Sequence, residues 1–254
     1  MIRYIYNALL CCGLILSTST YGQDGFHFKD VNYRVTLGYN IGASAPFSLP
    51  NNIREIQSYK PIFTPSIGYE ATYDLSSKWM VGAALRFDIK GMKVTDSVQY
   101  FHTIITVDDG SGEKGSFEGD FTGTNATLTK NMYLTLPIFA GYKAGEWDFK
   151  LGVYFAHLLS GRFEGTVSDG YIRKGDSLGE KVLIDRADFD FADELKTWDW
   201  GGHLGIARNF GPRWQANLTA QVGARPIFPS SFRGVGYDLH NIYVTLGAGY
   251  SLWK

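Results

Sequence analysis

The sequence predicts an all-β chain, an eight-stranded antiparallel transmembrane β-barrel with short periplasmic turns and long extracellular loops. Three observations support this prediction. Segments of roughly ten residues alternate between apolar and polar side chains, which is the period of a strand and the length that crosses a bilayer when tilted. The links between these segments alternate between short and long, and aromatic residues flank the short ones.

The clearest pair of strands lies between Tyr133 and Leu159, on either side of the short polar turn Ala144-Gly145-Glu146. One face of this pair carries only apolar side chains: Leu134, Leu136, Ile138, Ala140, Tyr142, Trp147, Phe149, Leu151, Val153 and Phe155. Strict alternation over this length favours strands over a helix. We expect the apolar face to contact lipid and the opposite face to line the barrel.

Six further segments repeat the alternation, at residues 33–41, 66–74, 79–90, 198–207, 214–225 and 242–252. The long links cover residues 43–64, 92–131, 160–196 and 226–240. The second of these links also alternates, so strands three and four are expected to extend beyond the membrane as a hairpin with its tip at residues 108–112. Outer-membrane barrels have this asymmetry of loop length.

Aromatic residues lie on both sides of the three short turns, and they predict an interfacial girdle at one end of the barrel. The girdle residues are Tyr73, Trp79, Tyr142, Trp147, Phe210 and Trp214. A soluble sandwich would bury its large apolar side chains and would have no reason to place tryptophan around one end.

Strand parity places titratable side chains inside the barrel, where an eight-stranded ring leaves room only for side chains. This predicted lumen charge network contains Arg34, Glu70, Asp74, Arg86, Asp88, Lys90, Asp148, Lys150, Asp199, His203 and Arg225. Unpaired charges in a dry interior are costly, so positive and negative groups are expected to pair. The prediction is a plugged barrel rather than an open pore.

The first 22 residues contain one early cation, Arg3, then an apolar run to Leu16 and then small polar residues, which is the pattern of a secretory signal peptide. We expect residues 1–22 to be this peptide, 23–31 a short periplasmic leader and 32–254 the barrel. Both cysteines, Cys11 and Cys12, fall in the first segment. Residues 23–254 contain no cysteine, which excludes a disulfide or a cysteine metal site there.

A formal net charge of −1 gives no reason to expect a nucleic-acid partner. Residues Asp185–Glu194 contain five carboxylates in ten positions, and two interpretations stay open: a Ca²⁺ site or a solvated acidic loop. The stretch lacks the spacing and central glycine of an EF-hand. No metal site, cofactor or catalytic residue is predicted.

Two other function classes are considered. A lipid-modifying barrel hydrolase could use His157 at the lipid face, although no serine or acid stands at a matching offset to it. It could instead use His203 with Asp199, for which the neighbouring strands offer Thr219, Ser66 and Thr245 in a cross-strand register that the sequence does not give. A small-solute channel would require an open lumen, which the predicted charge network opposes.

Several stretches are similar to strands of a known family. The run YLTLPIFAGYKAG resembles the Leu-x-x-Pro strand of the PorT-like outer-membrane β-barrel proteins of Bacteroidota, and the segments SSKWMVGAALRFDIKGMKV, GVYFAHLLSGRFEG and DELKTWDWGGHLGIARNF resemble three other strands. The resemblance implies an eight-stranded barrel in the bacterial outer membrane without an active site. It further implies a non-enzymatic envelope scaffold or binding partner, linked to type IX secretion or envelope assembly. Expected partners are outer-membrane lipid, lipopolysaccharide and a protein bound through the extracellular loops.

Overall fold

The structure is a computed structural model of the 254-residue chain and describes residues 31–108 and 114–252. The predicted signal peptide and most of the predicted leader therefore lie outside the described residues. Within the described ranges, no helix has the length and apolar composition needed to cross a membrane.

The described residues form one antiparallel sheet of eleven strands and a single short 3-10 helix at Ala192–Glu194. In chain order the strands are β1 Val31–Ala45, β2 Ile53–Pro61, β3 Pro65–Asp74, β4 Trp79–Asp108, β5 Lys114–Ala144, β6 Trp147–Ser160, β7 Phe163–Lys174, β8 Lys181–Asp190, β9 Trp198–Phe210, β10 Trp214–Gly223 and β11 His240–Ser251.

The sheet closes on itself through β4 and β5, which are paired from Trp79–Tyr142 to Asp108–Lys114. Neighbouring ladders run β4-β3-β1-β11-β10-β9-β6-β5, so the β4–β5 ladder returns the path to its start. A second connection is a single bridge between Thr106 of β4 and Asp188 of β8, and it closes a ring of ten strands that includes β7 and β8. The predicted hairpin extension of strands three and four is confirmed by this long ladder, while its predicted tip at residues 108–112 lies almost entirely outside the described residues.

The predicted count of eight strands is not confirmed, because β2, β7 and β8 lie in links that were predicted to be loops. These strands form where β4 and β5 extend past their other neighbours and would otherwise leave backbone groups unpaired. Strand β2 pairs with β4, β7 pairs with β5, and β8 pairs with β7. The acidic stretch Asp185–Glu194 consequently lies largely on β8 instead of in a loop.

The two faces of the sheet have opposite polarity from those of a water-soluble protein. Outward-facing leucines are strongly exposed, with values of 62% for Leu37, 69% for Leu151 and 60% for Leu246. The alternation predicted for the Tyr133–Leu159 hairpin is confirmed, because its apolar face is exposed while Phe139 and Tyr154 on the other face are buried. An apolar exterior around a polar interior is the arrangement of a barrel surrounded by lipid.

The three tight turns β3–β4, β5–β6 and β9–β10 lie at the same end of the sheet. Gly145 and Gly211 adopt φ values of 63° and 64° in two of these turns, a conformation that favours glycine. Near them, the ring of Trp79 meets that of Tyr142 edge-on at 5.1 Å. Of the predicted girdle residues, Trp79, Tyr142, Trp147, Phe210 and Trp214 are exposed, and Tyr73 is half-buried.

At the opposite end, the interior is apolar. A cluster of buried residues joins the outer parts of β4 and β5 to β7, β8 and the β10–β11 link: Ile53, Val98, Phe101, Ile105, Phe121, Phe163, Val167, Ile172, Ile184, Ala187, Phe189, Phe191, Leu195, Ile227, Phe228 and Leu239. We call this part, formed by β2, β7, β8 and the ends of β4 and β5, the outer body. Its hydrophobic core explains why the predicted loops fold into strands.

We expect a side chain at Gly82 to destabilise the barrel, because a Cβ there would lie 2.7 Å from the Phe139 ring and 2.9 Å from the Ala71 carbonyl oxygen. Gly82→Val should lower the free energy of unfolding by about 1–3 kcal/mol, the usual effect of overpacking. The matched control is Gly202→Val, since nothing lies within 4 Å of a Cβ at that outward position. Guanidinium unfolding of the protein refolded in lipid vesicles measures both; equal stability of the two variants would contradict the packing described.

Candidate functional site

In the part of the interior nearest the tight turns, a carboxylate pairs with two cations. We call this group of three side chains the first interior level. Glu70 on β3 accepts a hydrogen bond from Arg34 of β1 at 3.0 Å and from Lys150 of β6 at 2.6 Å. All three side chains are at least 86% buried. Lys150 also lies 4.8 Å from the centre of the Phe139 ring, a cation–π contact. This arrangement joins three strands across the lumen.

One step further from the turns, Arg86 and Asp88 of β4 form a fully buried ion pair at 2.8 Å. The Arg86 guanidinium also donates to the hydroxyls of Ser66 and Thr245, each at 3.0 Å. Thr245 in turn donates to Asn40 at 2.6 Å. The hydrogen bonds therefore cross from β4 to β3, β11 and β1.

The next level contains Lys90, whose ammonium group is enclosed by aromatic rings. Its Nζ lies 4.7, 5.4 and 5.8 Å from the ring centres of Tyr154, Tyr133 and Tyr243, and no hydrogen-bond acceptor contacts it. Asp199 provides negative charge nearby and accepts a hydrogen bond from Tyr154 at 2.9 Å. Cation–π contacts of this kind are strongest where water is excluded.

The remaining residues of the predicted lumen network take different places. Asp148 is buried and accepts hydrogen bonds from Asn209 and Gln215. Asp74 is exposed at the end of β3 and pairs with Lys143 at 2.6 Å. Arg225 lies in the bend after β10, half-buried, and donates to the Trp198 carbonyl.

His203 is buried and stacks on Phe139 with 5.8 Å between ring centres, but its Nδ1 has no hydrogen-bond partner. Asp199 instead bonds to Tyr154 and Asn241, so this carboxylate does not orient His203. His157 packs on Trp198 and likewise has an unpartnered Nδ1. Neither histidine is part of a hydrogen-bonded acid–base pair, which a Ser-His-Asp mechanism requires.

The polar interior is nearly filled. The cavity among Glu70, Arg86, Lys150 and His203 has a volume of about 30 Å³, which is room for roughly two water molecules. The charged side chains around this cavity are hydrogen-bonded across the barrel.

Beyond the Lys90 level, the interior opens into a larger cavity of about 290 Å³ inside the outer body, which we call the outer cavity. Its walls come from five parts of the chain: Ala43–Leu49, β2, the outer parts of β4 and β5, the Phe163–Phe191 region and the β10–β11 link. The walls are largely apolar and include Phe101, Phe163, Phe189 and Phe191. Ligand pockets of proteins have this character and start at about this size.

Buried polar side chains interrupt the apolar wall of the outer cavity: Asp96 and Asn125, together with Ser44, Thr103 and Thr127. Asp96 on β4 and Asn125 on β5 are register partners and are 6% and 5% exposed. Asn125 donates to Thr127 at 3.2 Å, and its Oδ1 has no hydrogen-bond partner. Burial raises the pKa of the Asp96 carboxyl to about 6, although a hydrogen bond with Asn125 acts in the opposite direction.

No pattern in the sequence identifies the outer cavity. Its polar residues lie in a link predicted to extend as a hairpin, but the facing walls come from β2, β7, β8 and the β10–β11 link, which were predicted to be loops. A register irregularity between Val98 and Phe101 also changes which side chains face inward. The one sequence signal was the apolar content of the third long link, including Phe189 and Phe191.

Carboxylates of the stretch Asp185–Glu194 make separate hydrogen bonds and do not converge on one point. Asp188 accepts a hydrogen bond from Thr166, and Asp190 accepts one from the backbone N–H of Ala192. In the described part of the chain, no group of three or more Asp, Glu, His or Cys side chains is arranged to hold a metal ion.

Removing the central carboxylate of the first interior level should be strongly destabilising. Glu70→Gln leaves Arg34 and Lys150 buried without a counter-charge, and breaking such a pair costs about 3–5 kcal/mol. Glu146→Gln removes the exposed partner of Arg208 and should change the free energy of unfolding by less than about 1 kcal/mol. Denaturant unfolding in lipid vesicles compares the variants, and similar losses for both would show that the interior charges contribute no more than surface ones.

The family comparison agrees with this architecture. Residues 20–228 match the family described as outer membrane protein beta-barrel domain. Among solved structures, the chain is similar to Ail, the attachment invasion locus protein of Yersinia pestis, which was crystallised with the heparin analogue sucrose octasulfate. The sequence identity is 9% and the TM-score is 0.34, and the alignment covers 87% of this chain and 97% of that chain. No curated protein sequence matches the chain. Because the family match covers well over half of its length, this chain belongs to the outer membrane β-barrel domain family and is a protein of the outer membrane.

Proposed function

We propose that this protein is a closed, non-enzymatic outer-membrane barrel that acts as an envelope scaffold or binding partner, within the PorT-like group of Bacteroidota and with a link to type IX secretion or envelope assembly. The observation that carries the closed-barrel part is the hydrogen-bonded charge network with its remaining cavity of about 30 Å³. A channel requires a hydrated path, and a hydrolase of the Ser-His-Asp type requires an oriented histidine.

In this proposal the membrane-embedded strands are the eight that β4–β5 pairing closes, namely β1, β3, β4, β5, β6, β9, β10 and β11. Their apolar side chains contact lipid and lipopolysaccharide, and the tight turns face the periplasm. The outer body then stands on the extracellular side, where a protein partner can reach it. Residues 1–22 serve as the signal peptide and 23–31 as a periplasmic leader.

The closed barrel predicts no steady conductance in planar bilayers. The matched variant Arg34→Ser, Glu70→Ser, Lys150→Ser removes the three long side chains nearest the tight turns, and it should also stay closed if it folds, because the Arg86 and Lys90 levels still fill the interior beyond them. Circular dichroism and heat-modifiable electrophoretic mobility verify folding of both proteins. Stable, voltage-independent steps from the unmodified protein would contradict the proposal and favour a solute channel.

If the apolar side chains of the barrel strands face lipid, a charged substitution should destabilise the protein more on these strands than in the outer body. Leu151→Arg, at the middle of β6, should destabilise the protein in vesicles by about 2–4 kcal/mol, since an arginine near the bilayer midplane must leave water. Leu183→Arg is the matched control, because Leu183 is 76% exposed but lies on β8 of the outer body. It should change stability by about 0.5 kcal/mol or less. Equal effects would show that Leu151 does not face lipid.

A further inference from the structure

The outer cavity contains a carboxylate that no cation of the described chain neutralises. Asp96 is the one Asp, Glu, Lys, Arg or His among the described residues that line it. Its neighbour Asn125 hydrogen-bonds to this carboxyl group and presents an acceptor, Oδ1, that lacks a partner. Buried charges and buried polar atoms in proteins are normally paired, and each exception requires an explanation. A bound molecule that donates hydrogen bonds would satisfy both groups.

The remaining walls of the cavity indicate that the rest of such a molecule is apolar. The walls around Asp96 and Asn125 are made mainly of aliphatic side chains and of the rings of Phe101, Phe163, Phe189 and Phe191. Hydroxyl-bearing residues also line the cavity, namely Ser44, Tyr59, Thr103, Thr127 and Tyr237. Aromatic walls attract both apolar groups and cations. On the side of the tight turns, the interior is filled by the polar levels of Glu70, Arg86 and Lys90. A ligand would therefore enter the outer cavity through the outer body and could not pass further into the barrel.

We propose that the outer cavity is a binding site for a small amphiphilic amine, whose protonated amino group pairs with the carboxylate of Asp96 and the Oδ1 atom of Asn125 while its apolar body packs among the phenylalanines. An ammonium group offers three donors, whereas Asp96 and Asn125 Oδ1 are acceptors. This inference deepens the proposed binding function and names the chemical class of the ligand.

The other titratable groups that line the cavity do not compete for the amine. Tyr237, from the β10–β11 link, has a pKa above its ordinary value because of burial and the nearby charge of Asp96. It therefore stays neutral. Tyr59 of β2 donates its hydroxyl hydrogen to the carbonyl oxygen of Gly42 at 2.8 Å. Asp96 is thus the group whose ionisation controls binding.

The pH dependence follows from the carboxyl group. With a pKa of about 6, Asp96 is mostly ionised at pH 7 and mostly protonated at pH 5, while an aliphatic amine stays protonated at both. Binding of the amine should weaken about tenfold between pH 7 and pH 5, in proportion to the ionised fraction of Asp96.

The test uses the full protein in phospholipid nanodiscs and three probes of matched size: 2-phenylethylamine, 2-phenylethanol and 3-phenylpropionate. Isothermal titration calorimetry at pH 5 and pH 7 measures their affinities, with empty nanodiscs as the blank for partition into lipid. We expect the amine to bind at least tenfold more tightly than the other two at pH 7. Equal affinity of the alcohol, tighter binding of the carboxylate, or no binding of the amine would each overturn the inference.

Two variants and one control locate the site. Asp96→Asn should weaken amine binding at least tenfold and remove its pH dependence, and Val94→Phe should block binding by filling the cavity from β4. Asp185→Asn, on the exposed face of β8, removes one negative charge elsewhere and should bind as the unmodified protein does. If Asp96→Asn and Asp185→Asn have the same affinity, the inference is wrong.

A conductance measurement on the same preparation distinguishes a failure of the proposed amine site from a failure of the proposed closed barrel. A non-conducting barrel that does not bind the amine contradicts only the amine site. A conducting barrel contradicts the closed lumen, whatever the calorimetry shows.

Discussion

The pairing of charge inside a narrow, nearly filled barrel is the constraint on which the rest of the structure depends. Glu70 between Arg34 and Lys150, and Arg86 beside Asp88, satisfy groups that could not be buried alone. Their hydrogen bonds connect strands that are distant in the chain, so the polar interior fixes the strands relative to one another. The hydrophobic side chains are then free to form the outer surface, where lipid replaces the apolar core of a soluble protein.

The length of β4 and β5 divides the interior into two chemically different parts. Near the tight turns the interior is ionic, and in the outer body it is apolar, with the Lys90–tyrosine level between them. An apolar cavity lined by aromatic rings and closed at its base is suited to hold a small molecule. The acceptor pair of Asp96 and Asn125 makes that cavity selective for a donor, which an entirely apolar cavity would not be.

Much of the barrel could be predicted because its strands alternate with a period of two and each residue's face follows from parity. That rule placed Glu70, Asp88 and Lys90 in the interior and Leu151 outside. It could not place Arg225 or Asp74, which lie where strands end and parity stops applying. It also could not identify β2, β7 and β8, because β2 and β7 pair with the projecting edges of β4 and β5, and β8 pairs in turn with β7. An edge exists only once the long hairpin has formed.

The sequence by itself determined the antiparallel β architecture, the apolar exterior, the aromatic residues at the turns and the charged interior, since each depends on neighbours two residues apart or on a short turn. Only the tertiary structure decided which charges meet, how many strands the sheet contains, and that Asp96 faces a cavity enclosed by five separate parts of the chain. The physical reason is that cross-strand register and long-range packing bring together residues whose separation in the chain carries no local pattern.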